Sequence, residues 1–433
     1  MSIHQRYQTR PLESWRRVKE LQSGYFQRMA RAREEGKLLA SGAGTQFTSI
    51  FAGIEGCEYL ETGAYGFALG RNPELAIQCA NAVEARGFAS DLCGPTRLAW
   101  GAAFLECGPY GAIPPPDFAV QTVFCEALGK GAQITCEHYG IPCFIIDYPL
   151  APRLGREEVH LEYLASQIMD AIEWMERVSG KEFNDERFIE AAGYEFQSTQ
   201  LWAKMCRYNQ AIPAPLDQRL LYTLFVPAST ERHKHYTAEF YRMLVDELEE
   251  RVNNQIAALA TERCRLLHEG YPPFFFFDIF RIPEKYGALF IGSHFDFTLP
   301  GGFEAGEDGS LVVRQTPKER GRELRTREDT VRALAEWYLP SPGPLGYIVS
   351  SRVNEIAKLA DDWHADGVVI HFNRGCPGGS AGGAEVNLAL REKGIPTMIY
   401  EANFVDPREF AEFQVVDRIE AFLESLGLEK LVD

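Results

Sequence analysis

The sequence predicts an α/β fold, on three observations. Short apolar runs alternate with helix-like stretches between about 40 and 150, the same alternation returns after 281, and a mostly helical block separates the two. Apolar strands joined by helix-length connections build parallel sheets, because a parallel neighbour is reached only through a crossover.

Taken in order, residues 13 to 38 place apolar side chains at helical intervals among Arg, Lys and Glu, which predicts one or two amphipathic surface helices with Gly36 as a stop. FAVQTVF (118 to 124), EALGKGAQITCEHYG and IPCFIIDYP (141 to 149) read as strand, helix and strand, a βαβ unit. From 156 to 265 the pattern is helical. REEVHLEYLASQIMDAIEWMERVSG ends on Gly180, IPAPLDQ (212 to 218) is a proline-rich joint, and TAEFYRMLVDELEERVNNQIAALATERCRLL is expected to run as one long helix. KYGALFIGSH is a strand, 300 to 328 is an exposed insertion, DGVVIHF (366 to 372) and IPTMIYEAN (395 to 403) are strands, and SAGGAEVNLALREKG between them is a helix. The expected organisation is N-terminal helices over 1–40, a first α/β domain over 41–155, a helical segment over 156–280 and a second α/β domain over 281–433.

At 433 residues the chain can bury a large core, and 45% hydrophobic with 24% charged residues excludes disordered and fibrous classes. With 61 acidic against 44 basic side chains, the net charge of −17 argues against a general nucleic-acid or anionic-membrane surface, so a phosphate-bearing ligand requires a local basic patch. No apolar run approaches the roughly 18 residues of a membrane helix, and the start, MSIHQRYQTRPLESW, lacks the apolar core of a signal peptide. The expectation is a soluble, cytoplasmic protein whose ten cysteines are thiols.

Three of those thiols sit where parallel sheets bind ligands, beyond strand ends and before helices. Cys125 follows FAVQTVF, Cys376 follows VVIHFNRG, and Cys93 lies in GFASDLCGPTRLAWGA after Asp91, which is expected to cap a helix start. A helix N-terminus favours thiolate, the form that binds metal. Their spacings match no compact C-x-x-C pattern, so placement carries the argument. Most cysteines are small buried hydrophobes, and Cys79, Cys206 and Cys264, inside predicted amphipathic helices, read that way. Cys57, Cys107, Cys136 and Cys143 stay open between the two readings. GCPGGSAGG (375 to 383) fits no nucleotide-binding fingerprint, and its glycines either admit a close backbone approach or punctuate a turn. His371, His138 and His294 lie near strand or helix ends. FFFF (274 to 277) reads as core or subunit interface. Glu55, Glu58 and Glu61, in a stretch expected to precede the sheet, are proton-donor candidates, with Glu55 and His371 as the catalytic candidates.

GFASDLCGPTRLAWG, PPPDFAVQTVFCEALGKGAQ, DGVVIHFNRGCPGGSAGG, GIPTMIYEANFVDPREF and DRIEAFLESL together resemble the benzoyl-CoA reductase and 2-hydroxyacyl-CoA dehydratase family over nearly the whole chain. NQAIPAPLDQRLLYTLFV, DELEERVNNQIAALATERCR and YPPFFFFDIFR look most like the larger cluster-bearing catalytic subunit of ATP-dependent benzoyl-CoA reductases. The resemblance implies two Rossmann-like domains with a 4Fe-4S cluster between them, held by Cys93, Cys125 and Cys376. It also implies a related cluster-bearing partner subunit, ATP-hydrolysing activator subunits and electrons from ferredoxin; no P-loop is present in this chain. The implied reaction is reduction of an aromatic acyl-CoA to its cyclohexadiene in anaerobic aromatic degradation. EALGKGAQ after the second cysteine and the glycine-rich third loop depart from many reductases. The alternatives are a 2-hydroxyacyl-CoA dehydratase subunit and a non-catalytic iron–sulfur electron-transfer or scaffold protein.

Overall fold

A computed structural model describes residues 5–44, 46–149, 157–340 and 349–431. The domain boundary expected at 155–156 lies outside the described residues. Two four-stranded, fully parallel sheets form the frame. The first contains β2 (Leu38–Gly42), β3 (Cys57–Glu61), β4 (Phe118–Val123) and β5 (Cys143–Asp147) in the order β3-β2-β4-β5. The second contains β7 (Cys264–Glu269), β8 (Ala288–Gly292), β11 (Gly367–Asn373) and β12 (Thr397–Ala402) in the order β12-β11-β7-β8. Both sheets follow one topology. The first strand passes to a neighbour on one side, and the third strand pairs with it on the other. Each sheet therefore has one point where successive connections leave in opposite directions, between β2 and β4 and between β7 and β11, and a crevice opens there beyond the strands' carboxyl ends. Short pairs complete the strands: β1 (Gln8–Thr9) with β6 (Ile256–Ala257), and β9 (Phe303–Ala305) with β10 (Leu311–Val313).

Helix α1 (Trp15–Arg31) buries Val18, Leu21, Tyr25, Phe26 and Met29, the helical spacing its sequence carries. Helices α2 (Thr62–Leu69), α3 (Pro73–Glu84) and α4 (Gly94–Phe104) pack together, and α5 (Glu126–Tyr139) is the β4-to-β5 crossover, ended by Gly140 at φ +65°. Helices α6 (Glu157–Ser179), α7 (Asp185–Arg207), α8 (Gln218–Thr230) and α9 (His235–Asn253) form the helical block. Then come α10 (His294–Thr298), α11 (Arg327–Tyr338), α12 (Val349–Asp362), α13 (Pro377–Ser380), α14 (Gly383–Glu392) and α15 (Glu412–Ser425). One apolar cluster runs continuously from Leu39 and Leu60 of the first sheet to Leu266, Phe290, Val369 and Tyr400 of the second.

Three expectations change. The long helix predicted to reach Leu267 stops at Asn253, Gln255 turns the chain with φ +53°, and Cys264 lies in strand β7 rather than in a helix. Glu58 and Glu61 lie on β3, an edge strand of the first sheet, rather than before the sheet. The stretch 300 to 328, expected to be exposed, buries Phe303 and Leu311 through the β9–β10 pair while Arg320, Glu323 and Arg325 stay outside.

Candidate functional site

A cavity of about 1270 Å³ opens where the carboxyl ends of both sheets meet. Its wall takes Ala43 and Gly44 after β2, Phe124 and Cys125 after β4, Tyr271 after β7, and Gly375 and Cys376 after β11. These four strands flank the two switch points, so each sheet's topology opens a crevice and the packing of the two sheets joins the crevices into one space.

The cavity brings Cys93, Cys125 and Cys376 to one wall; none of the other seven cysteines lines it. Cys93 and Cys125 are the N-cap residues of α4 and α5, and Cys376 immediately precedes α13. Thr96 Oγ1 approaches Cys93 Sγ at 3.5 Å, and the Gly379 N–H donates to Cys376 Sγ at 3.3 Å. Burial pushes the Cys376 thiol up to about 12, with Cys93 and Cys125 adding to the rise. Cys93 and Cys125 disfavour the ionised form of Cys376, and a cation bound among them would relieve that repulsion. Among the described residues no three His, Cys, Asp or Glu side chains stand close enough to share one metal ion. Three thiols on one cavity are the soft donors that an iron–sulfur cluster takes, so the donor chemistry fits such a group.

Glycine makes this convergence possible. At Gly375, φ is +77° and a Cβ would stand 2.5 Å from the Asp91 carbonyl oxygen, so the Cys376 loop lies against the Cys93 loop only without a side chain. At Gly94 a Cβ would meet Asn403 Oδ1 at 2.4 Å, which ties the start of α4 to the segment after β12. The same tie is made by Arg97, fully buried, through Glu84 at 2.6 Å and Asp406 at 2.6 Å. Arg97→Met removes the buried cation of this clasp and leaves both carboxylates to Arg408 alone, at 2.5 Å from Glu84 and 2.6 Å from Asp406, and urea denaturation is expected to register a loss of about 2 kcal/mol; an unchanged midpoint would count against this clasp.

Charge is graded along the cavity. Lys19, Arg71, Lys130 and Arg281 are exposed, Arg219 is half-buried and Arg232 is buried, and among the described residues none of these six forms an ion pair. The four exposed cations are the local basic patch that the acidic chain needs for a phosphate-bearing ligand. The interior wall is aromatic: Phe67, Tyr222, Tyr271, Phe274, Phe295 and Phe404. FFFF, expected to be core or interface, packs Phe274, Phe276 and Phe277 against the apolar cluster, with Phe274 and Phe277 also facing the cavity and Phe275 and Phe276 against Phe410.

Glu61 is the buried acid of the wall, at the end of β3 and the N-cap of α2. Its carboxylate accepts from Tyr59 OH at 2.6 Å, from Gly63 N at 2.9 Å and, through both oxygens, from Gly44 N at 3.0 Å. Burial outweighs these bonds and raises it from 4.5 to about 6. The two residues singled out as catalytic candidates stand elsewhere. Glu55 is exposed and paired with Arg187 at 3.3 Å. His371 is buried on β11, bonded to the Tyr271 and Ala402 carbonyls, stacked on Tyr400, and lowered by burial to about 4. It backs the wall without lining it. His294 pairs with Glu355 at 2.8 Å, and His138 packs against Phe104. Arg232 went unremarked in the sequence, where ERHK between two helices looks like a solvated turn.

A family model for the 2-hydroxyglutaryl-CoA dehydratase D-component matches residues 68–426, a range that holds all three cavity cysteines and Arg232 but begins after Glu61. The chain is similar to the (R)-2-hydroxyglutaryl-CoA dehydratase alpha subunit of Acidaminococcus fermentans, 25% identical over 317 residues covering 72% of this chain. It spans only 61% of that subunit's length. It is also similar to the (R)-phenyllactyl-CoA dehydratase alpha subunit of Clostridium sporogenes, 24% identical over 354 residues and 80% of each chain. A benzoyl-CoA reductase subunit of Thauera aromatica is 22% identical over 327 residues, 72% of this chain and 71% of its own. No helix among the described residues is long and apolar enough to cross a membrane.

Proposed function

Because the chain belongs to the 2-hydroxyglutaryl-CoA dehydratase D-component family, we propose that it is an iron–sulfur catalytic subunit acting on an acyl-CoA, and specifically a 2-hydroxyacyl-CoA dehydratase subunit. The observation that carries this reading is one cavity with three thiols, a cationic mouth, an aromatic interior and a buried acid. The sequence alone favoured the larger benzoyl-CoA reductase subunit. Dehydratase alpha subunits match the chain better than the reductase subunit does, which moves the reading to dehydration.

Proteins of this family carry iron–sulfur clusters. Here Cys93, Cys125 and Cys376 would hold the cluster, leaving room for a ligand not supplied by cysteine. Such a cluster would supply single electrons and a Lewis-acidic iron. The exposed Lys19, Arg71, Lys130 and Arg281 hold the phosphates of coenzyme A, as unpaired cations at a cavity mouth do for anions. The aromatic wall keeps water from the acyl group, and Glu61 holds or returns a proton. Leu92 and Tyr110, exposed apolar residues of the wall, suit closure by a second, related subunit. Electron supply by an ATP-hydrolysing activator and ferredoxin belongs to the same proposal. Reduction of an aromatic acyl-CoA is the second reading, favoured by the aromatic wall and by the match to the reductase from Thauera aromatica.

The test is product analysis by mass after anaerobic incubation of the assembled complex, with its reductant, on a 2-hydroxyacyl-CoA and on benzoyl-CoA. Loss of water from the hydroxyacyl ester is expected, with one reductive start serving many turnovers. Hydrogen gain on the aromatic ester without water loss turns the assignment to the reductase, and no change in either rejects both.

A further inference from the structure

We infer that Arg232 is an oxyanion-binding residue of the cavity, taking the thioester carbonyl oxygen or a distal carboxylate of the acyl ligand. This rests on the acyl-CoA reading above. Arg232 lies in the turn between α8 and α9, lines the cavity and is 4% exposed. Its guanidinium is held only by neutral acceptors: Nη1 donates to the Pro300 carbonyl at 3.1 Å and approaches Tyr338 OH at 3.4 Å. Nε has no hydrogen-bond partner, and among the described residues no carboxylate pairs with it. The nearest acid in this network, Glu195, is engaged elsewhere, accepting from Tyr338 OH at 2.6 Å, Ser49 N at 2.8 Å and Thr48 N at 3.3 Å.

Arginine does not shed its proton when buried, so the protein carries an interior cation with no carboxylate at ion-pair distance among the described residues, Glu195 and Glu61 acting on it only through space. Such a charge is costly unless an anion arrives to share it. The exposed cations of the mouth are screened by water and suit phosphates, whereas Arg232 sits in the dry part of the wall, where a charged hydrogen bond is strongest. Glu61 feels this charge: Arg232 is among the groups that hold its proton affinity down. An acyl oxygen held by Arg232 therefore lies in the part of the cavity where Glu61 keeps its proton.

The test is calorimetry on the full chain with coenzyme A, valeryl-CoA, glutaryl-CoA and the S-pentyl thioether of coenzyme A, using wild type, Arg232→Met and Arg232→Lys. In Arg232→Met, coenzyme A is expected to keep its Kd while the bound oxyanion loses roughly tenfold or more. A loss confined to glutaryl-CoA assigns the distal carboxylate, and an equal loss for both thioesters assigns the carbonyl. Arg232→Lys should recover part of the affinity because it keeps the charge but not the fork. Unchanged Kd values in both variants overturn the inference. Should Arg232→Met fail to fold, wild type decides: an oxyanion site requires glutaryl-CoA to bind tighter than valeryl-CoA, or valeryl-CoA tighter than the thioether, and equal affinities overturn it. If wild type binds none of the four, the acyl-CoA reading itself falls.

Discussion

Replacing Cys125 by serine is expected to strip the anaerobically purified protein of most of its iron and to abolish turnover of the assembled complex. The same holds for Cys93 and Cys376, because the three thiols belong to three different loops and only the cavity brings them together. Partners one shell outside a metal centre are commonly worth roughly 10- to 100-fold in affinity or activity, so removal of a direct ligand should cost more than about 100-fold. Serine has nearly the shape of cysteine but is a poor soft-metal donor, which separates ligation from packing. Cys143→Ser is the control: it lies at the start of β5, outside the cavity wall, and should keep its iron. Iron analysis with the cluster's absorption and EPR signal reads the result, and full occupancy in Cys125→Ser would sink the ligand assignment.

Glu61→Gln is expected to lower turnover by roughly 10²- to 10⁴-fold, the usual worth of a positioned general acid or base. Burial raises the Glu61 carboxyl to about 6, so it is a proton donor below that pH and a base above it. If the acid form is required, wild-type turnover falls as pH rises through about 6, and the glutamine variant loses that limb. The linkage runs in the same direction. A carboxyl raised from 4.5 to about 6 binds its proton more tightly in the folded state, so the stability it contributes is complete below about 4.5. It is lost as pH rises through about 6, and amounts to about 2 kcal/mol. Denaturation of wild type and variant at pH 4.5 and 7.5 should therefore show their stability difference shifting toward the variant at the higher pH. Parallel pH dependences would remove Glu61 as a titrating group.

The misread positions share one cause. In the α9-to-β7 segment the sequence has no strong breaker, and β7 itself carries Arg265, His268 and Glu269. Those residues are tolerated in a buried strand because remote groups satisfy them. Arg265 donates to the Asn209 carbonyl at 2.5 Å, and His268 meets Tyr400 OH at 2.7 Å. A local pattern counts them as polar surface. The FFFF run looks uniform in sequence, and its division into Phe274 and Phe277 on the cavity and Phe275 and Phe276 against Phe410 depends on what lies on each side of the turn.

By itself the sequence determined the α/β alternation, the crossover from β4 through α5 to β5, the helix stop at Gly180, and the prominence of Cys93, Cys125 and Cys376, whereas α1 ends at Arg31, ahead of the stop expected at Gly36. Each is a local signal, in which apolar periodicity, a glycine at a left-handed turn or a thiol at a strand end is written within a few residues. Only the tertiary structure decided that these thiols share one cavity, that Glu61 rather than Glu55 is the buried acid, that His371 stands behind the wall, and that Arg232 is interior without a carboxylate partner. Those are facts of burial and proximity between segments hundreds of residues apart. Desolvation and charge act through space, and no pattern along the chain records them.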